Sequence, residues 1–126
     1  MKHKVLIVSN DNLVTGLAKS TLQQEGFEVL GIEDDKVIET IVDFKPAVLI
    51  IDHTSNQDGG ILCRKIKQSD DNDKVPVLLM SPMRELAQAF DQFLADEFIY
   101  RPYIMRSLID KVNKLVTPAE KLPSEN

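Results

Sequence analysis

A single cysteine, Cys63, stands among 126 residues, which excludes an internal disulfide and a cluster of thiolate metal ligands. Tryptophan is absent and aromatic residues are few, although 43% hydrophobic and 28% charged residues still describe an ordinary soluble globular chain. No dense patch of Lys and Arg occurs, and the net charge is -5. Nucleic-acid affinity comes mainly from clustered cations on the phosphate backbone, so a nucleic-acid role for this domain is excluded. Long apolar runs are missing as well. Met1-Lys2-His3-Lys4 followed by Val5-Leu6-Ile7-Val8 has the outline of a signal peptide, but the run stops at Ser9-Asn10-Asp11-Asn12. That is too short for a secretory core or a membrane span, and the expectation is a cytoplasmic protein with no membrane segment. The turn from Ser9 to Asn12 contains no glycine, which argues against a phosphate-cradling loop and a nucleotide site after the first strand.

What is present is organised around Ala47-Val48-Leu49-Ile50-Ile51-Asp52-His53. Five apolar residues run into a single carboxylate, the pattern of a strand buried on both faces. Asp52 then lies at the strand's carboxyl end, where ligands and chemistry collect in open α/β sheets. Val5 to Val8 is a first short strand. After its polar turn, apolar positions at Leu13, Val14, Leu17, Ala18, Thr21 and Leu22 mark a helical stripe, with Gly26 closing it. Phe27 to Ile32 is a second strand. Glu33-Asp34-Asp35 supplies cap and first-turn acids for a helix carrying Val37, Ile38, Ile41, Val42 and Phe44, which Lys45-Pro46 ends.

Beyond Asp52, His53 to Gly60 reads as a loop and Ile61, Leu62, Cys63 and Ile66 as the apolar side of a third helix. Gln68 to Lys74 is the most polar linker in the chain. Val75 to Met80 is a fourth strand with Pro76 near its start, where no ladder donor is needed. Ser81-Pro82 turns into a fourth helix bearing Leu86, Ala87, Ala89, Phe90 and Phe93. Glu97 to Tyr100 is a short fifth strand, broken by Arg101-Pro102, and Ile104 to Val116 a fifth helix stopped by Thr117-Pro118.

Five strands alternating with five helices predict a doubly wound, flavodoxin-like (βα)5 domain with a parallel sheet in the order 2-1-3-4-5. One domain over residues 1–117 is expected, with 118–126 a disordered tail or truncated linker. In that order strands one and three are neighbours at the switch point, and Ser9-Asn10-Asp11 faces Asp52 across the crevice. Ser81 and Arg101, at the ends of strands four and five, converge there too. A carboxylate, a small hydroxyl and a cation around one cavity suit an anionic ligand or an acyl phosphate on Asp52 balanced by Arg101.

From Lys4 to about Val116 these motifs, in this order, resemble the receiver domains of two-component response regulators. Lys4-Val5-Leu6-Ile7-Val8 resembles the family's first strand, and Pro46 to Asp52 its third, a proline and an apolar run ending in Asp. Asp58-Gly59-Gly60 with Ile61 to Lys67 is similar to the Asp-Gly opening of its third helix. Val75 to Ser81 resembles the fourth strand, which ends in Thr or Ser, and Phe98-Ile99-Tyr100-Arg101-Pro102-Tyr103 the aromatic-x-x-Lys-Pro-Phe signature. The resemblance implies a signalling module and not an enzyme, with Asp52 as phosphoacceptor, Ser81 as the switch hydroxyl, Phe98 as the switch aromatic and Arg101 in the place of an essential lysine. It also implies Mg²⁺, weak or absent here, with Asn10, Asp11, Asp52 and the Thr54 carbonyl in the metal positions.

The departures from the family pattern gather at one site. Two acids usually follow the first strand; Ser9 and Asn10 stand there, with Asp11 one residue late. Mg²⁺ is held by oxygen ligands in near-octahedral geometry, normally carboxylates, so the Asn10 amide weakens it. Losing two negative charges beside Asp52 also removes repulsion that a metal would offset. Arg101 is planar and larger than lysine. The loop from Asp52 to Asp58 is one residue shorter than usual, and Leu94 stands where a glycine is common. The bland readings are a capping role for Ser9, Asn10, Asp11 and Ser81, core packing for Phe98 and Cys63, and a plain salt bridge for Arg101 and Asp52. His53, adjacent to Asp52 along a strand, points to the opposite face.

Two functions follow. The first is an atypical receiver phosphorylated on Asp52 by a histidine kinase or phosphotransfer protein with weakened Mg²⁺ dependence. The alternative is a phosphorylation-independent pseudo-receiver that binds another signalling protein, or pairs as a homodimer through the face of the fourth helix, fifth strand and fifth helix.

Overall fold

Alternation of side chains across a strand means that a run apolar at every position is buried on both faces, and three such runs form the centre of this molecule. The computed structural model describes residues 3–33, 36–69 and 75–116. Its five strands are β1 (Lys4–Val8), β2 (Glu28–Ile32), β3 (Val48–Asp52), β4 (Val77–Ser81) and β5 (Glu97–Tyr100). They pair in parallel in the order β2-β1-β3-β4-β5. The expected flavodoxin-like topology is present. The central strands β3 and β4 are buried at every residue, whereas the edge strands β2 and β5 are only partly covered.

The helices are α1 (Asn12–Gln24), α2 (Val37–Phe44), α3 (Gly59–Lys67) and α4 (Met105–Val116). On one face of the sheet Val5, Ile7, Ile50, Leu78, Met80 and Ile99 pack with α1 and α4. On the other, Leu6, Val8, Leu49, Ile51, Leu79 and Phe98 pack with α2 and α3. Gly26, at a φ of 95°, lies just past α1 and donates its N–H to the Gln23 carbonyl, so the predicted glycine stop is real and sits one residue beyond the cap itself. Lys45 ends α2 in the left-handed region, with its N–H on the Ile41 carbonyl.

The expected fourth helix is corrected. The connection from β4 to β5 consists of two 3-10 turns, Arg84–Gln88 and Phe90–Phe93, separated at Ala89, whose φ of -129° ends the first turn. The physical reason is a weak stripe: only Leu86 of the two turns is fully buried, while Phe90 and Phe93 are half-covered, so nothing sustains a longer α-helical ladder. The described residues therefore hold four α-helices and not five.

A second correction concerns α1 and α2. Leu13 and Leu17 were expected on the same core stripe as Val14 and Ala18, yet they stand 71% and 60% exposed. The buried line of α1 is Val14, Ala18, Thr21 and Leu22, and Ile38 and Val42 of α2 are likewise exposed. The stripe predicted from composition is wider than the sheet can cover. The expected Asp34-Asp35 cap, the linker from residue 70 to 74, the Thr117-Pro118 stop and the 118–126 tail lie outside the described residues.

Candidate functional site

The crevice is built by register. Val8 of β1 pairs with Ile51 of β3, so the residues that follow, Ser9 and Asp52, emerge side by side at the carboxyl edge. Both are 2% exposed. The Ser9 hydroxyl donates to Asp52 Oδ2 at 3.0 Å, and Arg101 Nη2 donates to Asp52 Oδ1 at 3.0 Å. Arg101 is delivered across β4 from the end of β5, where its backbone N–H is held by the Ser81 carbonyl at 2.9 Å. One buried carboxylate thus has each oxygen engaged, one by a hydroxyl and one by a guanidinium. A buried carboxylate needs such partners, because burial without compensation strongly disfavours the charged form.

Around this triad the other predicted residues have separate places. Asp11 is the N-cap of α1: its Oδ1 accepts from the N–H groups of Leu13 at 2.9 Å and Val14 at 3.4 Å. Asn10 is exposed, and its backbone N–H donates to Gln57 Oε1 at 3.0 Å. The Thr54 carbonyl accepts from Gln57 N–H at 3.3 Å, and its hydroxyl accepts from Asn56 N–H at 3.1 Å. Ser81 is fully buried, with its hydroxyl accepting from Met83 N–H at 3.0 Å. Phe98 is buried and stacks on Phe90 with ring centres 6.1 Å apart. The structure thus brings Asp52, Ser9 and Arg101 into direct contact, while the side chains of Asp11, Thr54 and Ser81 bond to nearby backbone.

Gln57 is the residue that sequence reasoning passed over. It is 6% exposed, ties the loop after β3 to the turn after β1, and leaves its Nε2 buried with no partner. Nothing in the polar run from Thr54 to Asp58 distinguishes it; the only signal is an amide long enough to span between two loops. Arg101 Nε is likewise buried without a partner. Two under-used donors border a site where acceptors would be needed for a cation.

The start of α3 locks the same edge. A Cβ on Gly59 would collide with the Asp52 carbonyl and the Ile51 side chain, so only glycine lets the helix begin this close to β3. Asp58 caps that helix by accepting from Ile61 N–H at 3.0 Å. His53 faces away from Asp52, its Nδ1 accepting from Gly60 N–H at 3.0 Å and its ring lying near Phe93. Cys63 is buried, and that burial pushes its thiol up to about 12, with Lys67 lowering and Asp96 raising it further; it is a small apolar residue, not a nucleophile.

Mg²⁺ requires several oxygen ligands converging on one point. Among the described residues no group of three His, Cys, Asp or Glu side chains is placed to hold a metal. The carboxylate oxygens of Asp52 are engaged, Asp11 caps a helix through Oδ1, and the Thr54 carbonyl already accepts a bond. These residues do not fit a hard cation that demands a near-octahedral set of oxygens.

No protein-family model matches the chain. The chain is 31% identical over 118 residues to the response regulator protein GraR of Staphylococcus epidermidis, an alignment covering 89% of this chain and 50% of that protein. GraR of Staphylococcus aureus matches to the same extent. The chain therefore spans about half the length of the curated relatives it matches. Among solved structures, a putative response regulator from Chloroflexus aurantiacus superimposes with a TM-score of 0.85 at 22% identity, over 93% of this chain and 99% of that one. The chemotaxis response regulator CheY4 of Vibrio cholerae follows the same fold, with a TM-score of 0.80 at 18% identity over 91% and 99%.

Proposed function

The chain belongs to the response-regulator receiver domains, and from that membership we propose that it serves two-component signalling as an atypical receiver, with Asp52 as phosphoacceptor and Mg²⁺ support weak or absent. The carrying observation is the position and bonding of one carboxylate: Asp52 ends β3, is buried, and is held between Arg101 and Ser9. In this reading a carboxylate oxygen attacks the phosphorus of a phosphohistidine, an O–P bond forms, the N–P bond breaks, and its electron pair returns to the imidazole. The partner is accordingly a histidine kinase or a phosphotransfer protein. Arg101 stays close enough to offset the charge that arrives, work usually done by a lysine and a metal.

Under this proposal Ser81 and Phe98 report the change, Ser81 from the last position of β4 and Phe98 from within the neighbouring strand β5. Asn10, Asp11 and Thr54 supply at best a poor metal cradle. The module accepts a group and does not turn over a substrate, so it is not an enzyme. A cytoplasmic location is part of the proposal; no described helix is long and apolar enough to cross a membrane.

One observation favours a second reading. With its carboxylate oxygens bonded internally, Asp52 is already neutralised, as in a pseudo-receiver whose state is set by a protein partner or by pairing with a second copy through β5 and its flanking segments. The deciding experiment follows amide shifts by NMR on adding Mg²⁺ with acetyl phosphate or beryllofluoride, with Asp52→Asn as control. Shifts at Asp52, Ser81 and Phe98 that vanish in the variant support the receiver. A site that stays silent in the wild type establishes the pseudo-receiver instead. Asn10→Asp is expected to strengthen Mg²⁺ binding by about tenfold, read as the titration midpoint.

A further inference from the structure

Beside the Asp52 crevice, between α1 and the loop entering α4, lies a cavity of about 430 Å³. Its size is that of a small-molecule pocket. The walls are chiefly apolar: Leu13, Val14 and Leu17 from α1, Pro82 after β4, and Tyr103 with Met105 from the far side. Leu13, Leu17 and Met105 are 71%, 60% and 58% exposed, which is unusual for three large apolar residues lining one hollow.

Two charged residues line it, Asp11 and Arg101. The Asp11 carboxylate is committed to the first turn of α1 through the Leu13 and Val14 N–H groups, and the positive end of that helix offsets its charge. Arg101 is in the opposite condition. A guanidinium has five N–H donors, and here its one hydrogen bond among the described residues is Nη2 to Asp52, with Nε buried and unpartnered. Arg101 lines the cavity with its side chain 21% exposed, and of its donor nitrogens only Nη2 is bonded among the described residues. Burial raises the Tyr103 phenol, against a lowering by Arg101, so that hydroxyl stays protonated and can donate as well.

We infer that this cavity binds a small amphipathic carboxylate, its apolar body against Leu13, Leu17 and Met105 and its anionic head on the unused N–H groups of Arg101. An apolar hollow with a cation in its lining selects an anion with a hydrocarbon or aromatic body over both a neutral hydrocarbon and a hydrophilic anion such as free phosphate. Because the same guanidinium holds Asp52 through Nη2, a ligand on its other N–H groups shares one positive charge with that carboxylate, and each anion weakens the other's hold. By linkage, whatever weakens the Asp52 contact strengthens the ligand, and the ligand in turn frees Asp52. The inference goes beyond the receiver reading and does not require that Asp52 be phosphorylated.

Octanoate is a suitable probe, with octanamide as its neutral counterpart and inorganic phosphate as the hydrophilic anion, each titrated into the full chain while side-chain methyl shifts are followed by NMR. Octanoate is expected to move the methyls of Leu13, Leu17 and Met105, at an affinity about tenfold above octanamide, the worth of one charge-assisted contact. Phosphate leaves those methyls unmoved. Arg101→Gln brings octanoate down to the octanamide level. Should that variant fold poorly, Leu17→Glu, at an exposed position, abolishes the octanoate shifts without touching the core. Asp52→Asn raises octanoate affinity severalfold by removing the competitor. Equal affinity for octanoate and octanamide, shifts elsewhere on the surface, or no response by about 10 mM overturns the proposal and leaves the hollow to a macromolecular partner. A silent acetyl phosphate titration alongside a positive octanoate titration sinks the receiver reading alone, and the reverse pattern sinks this one alone.

Discussion

Two acid–cation pairs lie at opposite ends of the same sheet, and they differ in what surrounds them. At the amino end Asp96, just before β5, accepts from the Val77 backbone N–H at 2.8 Å and from Lys67 Nζ at 2.8 Å, while Lys67 also donates to the Val75 carbonyl at 2.9 Å. Here the carboxylate is 40% exposed and the lysine largely covered. At the carboxyl end Asp52 is 2% exposed and its arginine 21%, with donors unused and a cavity adjacent. The first pair closes the start of β4 against the start of β5, and each of its two members also bonds main chain, Asp96 at Val77 and Lys67 at Val75. The second joins side chains only and leaves its cation under-bonded. The same chemistry makes a staple where it bonds main chain, and a responsive site where it does not.

The largest effect that would break this comparison is expected at the carboxyl end. Arg101→Gln leaves the buried Asp52 without its cation and should cost about 3 kcal/mol in urea unfolding at neutral pH. Asp52→Asn keeps the shape, removes the charge and leaves a partly solvated arginine, so it should lie within about 1 kcal/mol of the wild type. Equal costs for the two variants would show that the pair is a staple like the other. At the amino end Asp96→Ala removes acceptors from one backbone N–H and one lysine, in a place open to water, and the expected loss is smaller, about 1 to 2 kcal/mol.

Leu94 sharpens the amino-end description by a smaller and opposite effect. It sits at a φ of 66°, a left-handed conformation that strains a residue with a branched side chain, and 43% of it is exposed. Leu94→Gly should therefore raise stability by about 0.5 to 1 kcal/mol, read as a higher urea midpoint with an unchanged slope, because little packing is lost and the strain is relieved.

The sheet order was legible because short apolar runs, each ending in polar residues, repeat along the chain with helical stripes between them. Val48 to Asp52 and Val77 to Ser81 are as buried as those patterns imply. The 3-10 connection after β4 was not legible, since Leu86, Phe90 and Phe93 recur at spacings that an α-helix would also satisfy. The fate of Leu13 and Leu17 depends on how far α4 and the loop before it reach over α1, a tertiary fact that no local stripe contains. At the site, Asp52, Arg101 and their pairing could be named from the ends of strands once the strand order was in hand, whereas the Ser9 hydroxyl on the second carboxylate oxygen could not. Gln57 was invisible because its role is to bridge two loops distant in sequence.

Glu97 tests whether charge at the sheet's solvent-facing flank behaves as a weak version of the amino-end staple. Burial alone would push its carboxyl up, but the Phe98 N–H on Oε1, the Lys114 hydrogen bond on Oε2, and the fields of Lys111 and Lys114 outweigh that and hold it below the usual 4.5. A lowered folded value means that the unfolded chain binds the proton first. The stabilising contribution is thus complete above the ordinary carboxylate range and is lost as pH falls from 4.5 through the folded value. Lys114 is 68% exposed and screened, so Lys114→Ala should remove only about 0.5 kcal/mol at neutral pH. Its urea midpoint should converge on that of the wild type as the pH drops below the carboxylate range, and added salt should shrink the difference at neutral pH. If the variant instead keeps the same deficit at acid pH, the lysine stabilises α4 by packing its stem, and the Glu97 cluster is no counterpart of the Asp96 staple.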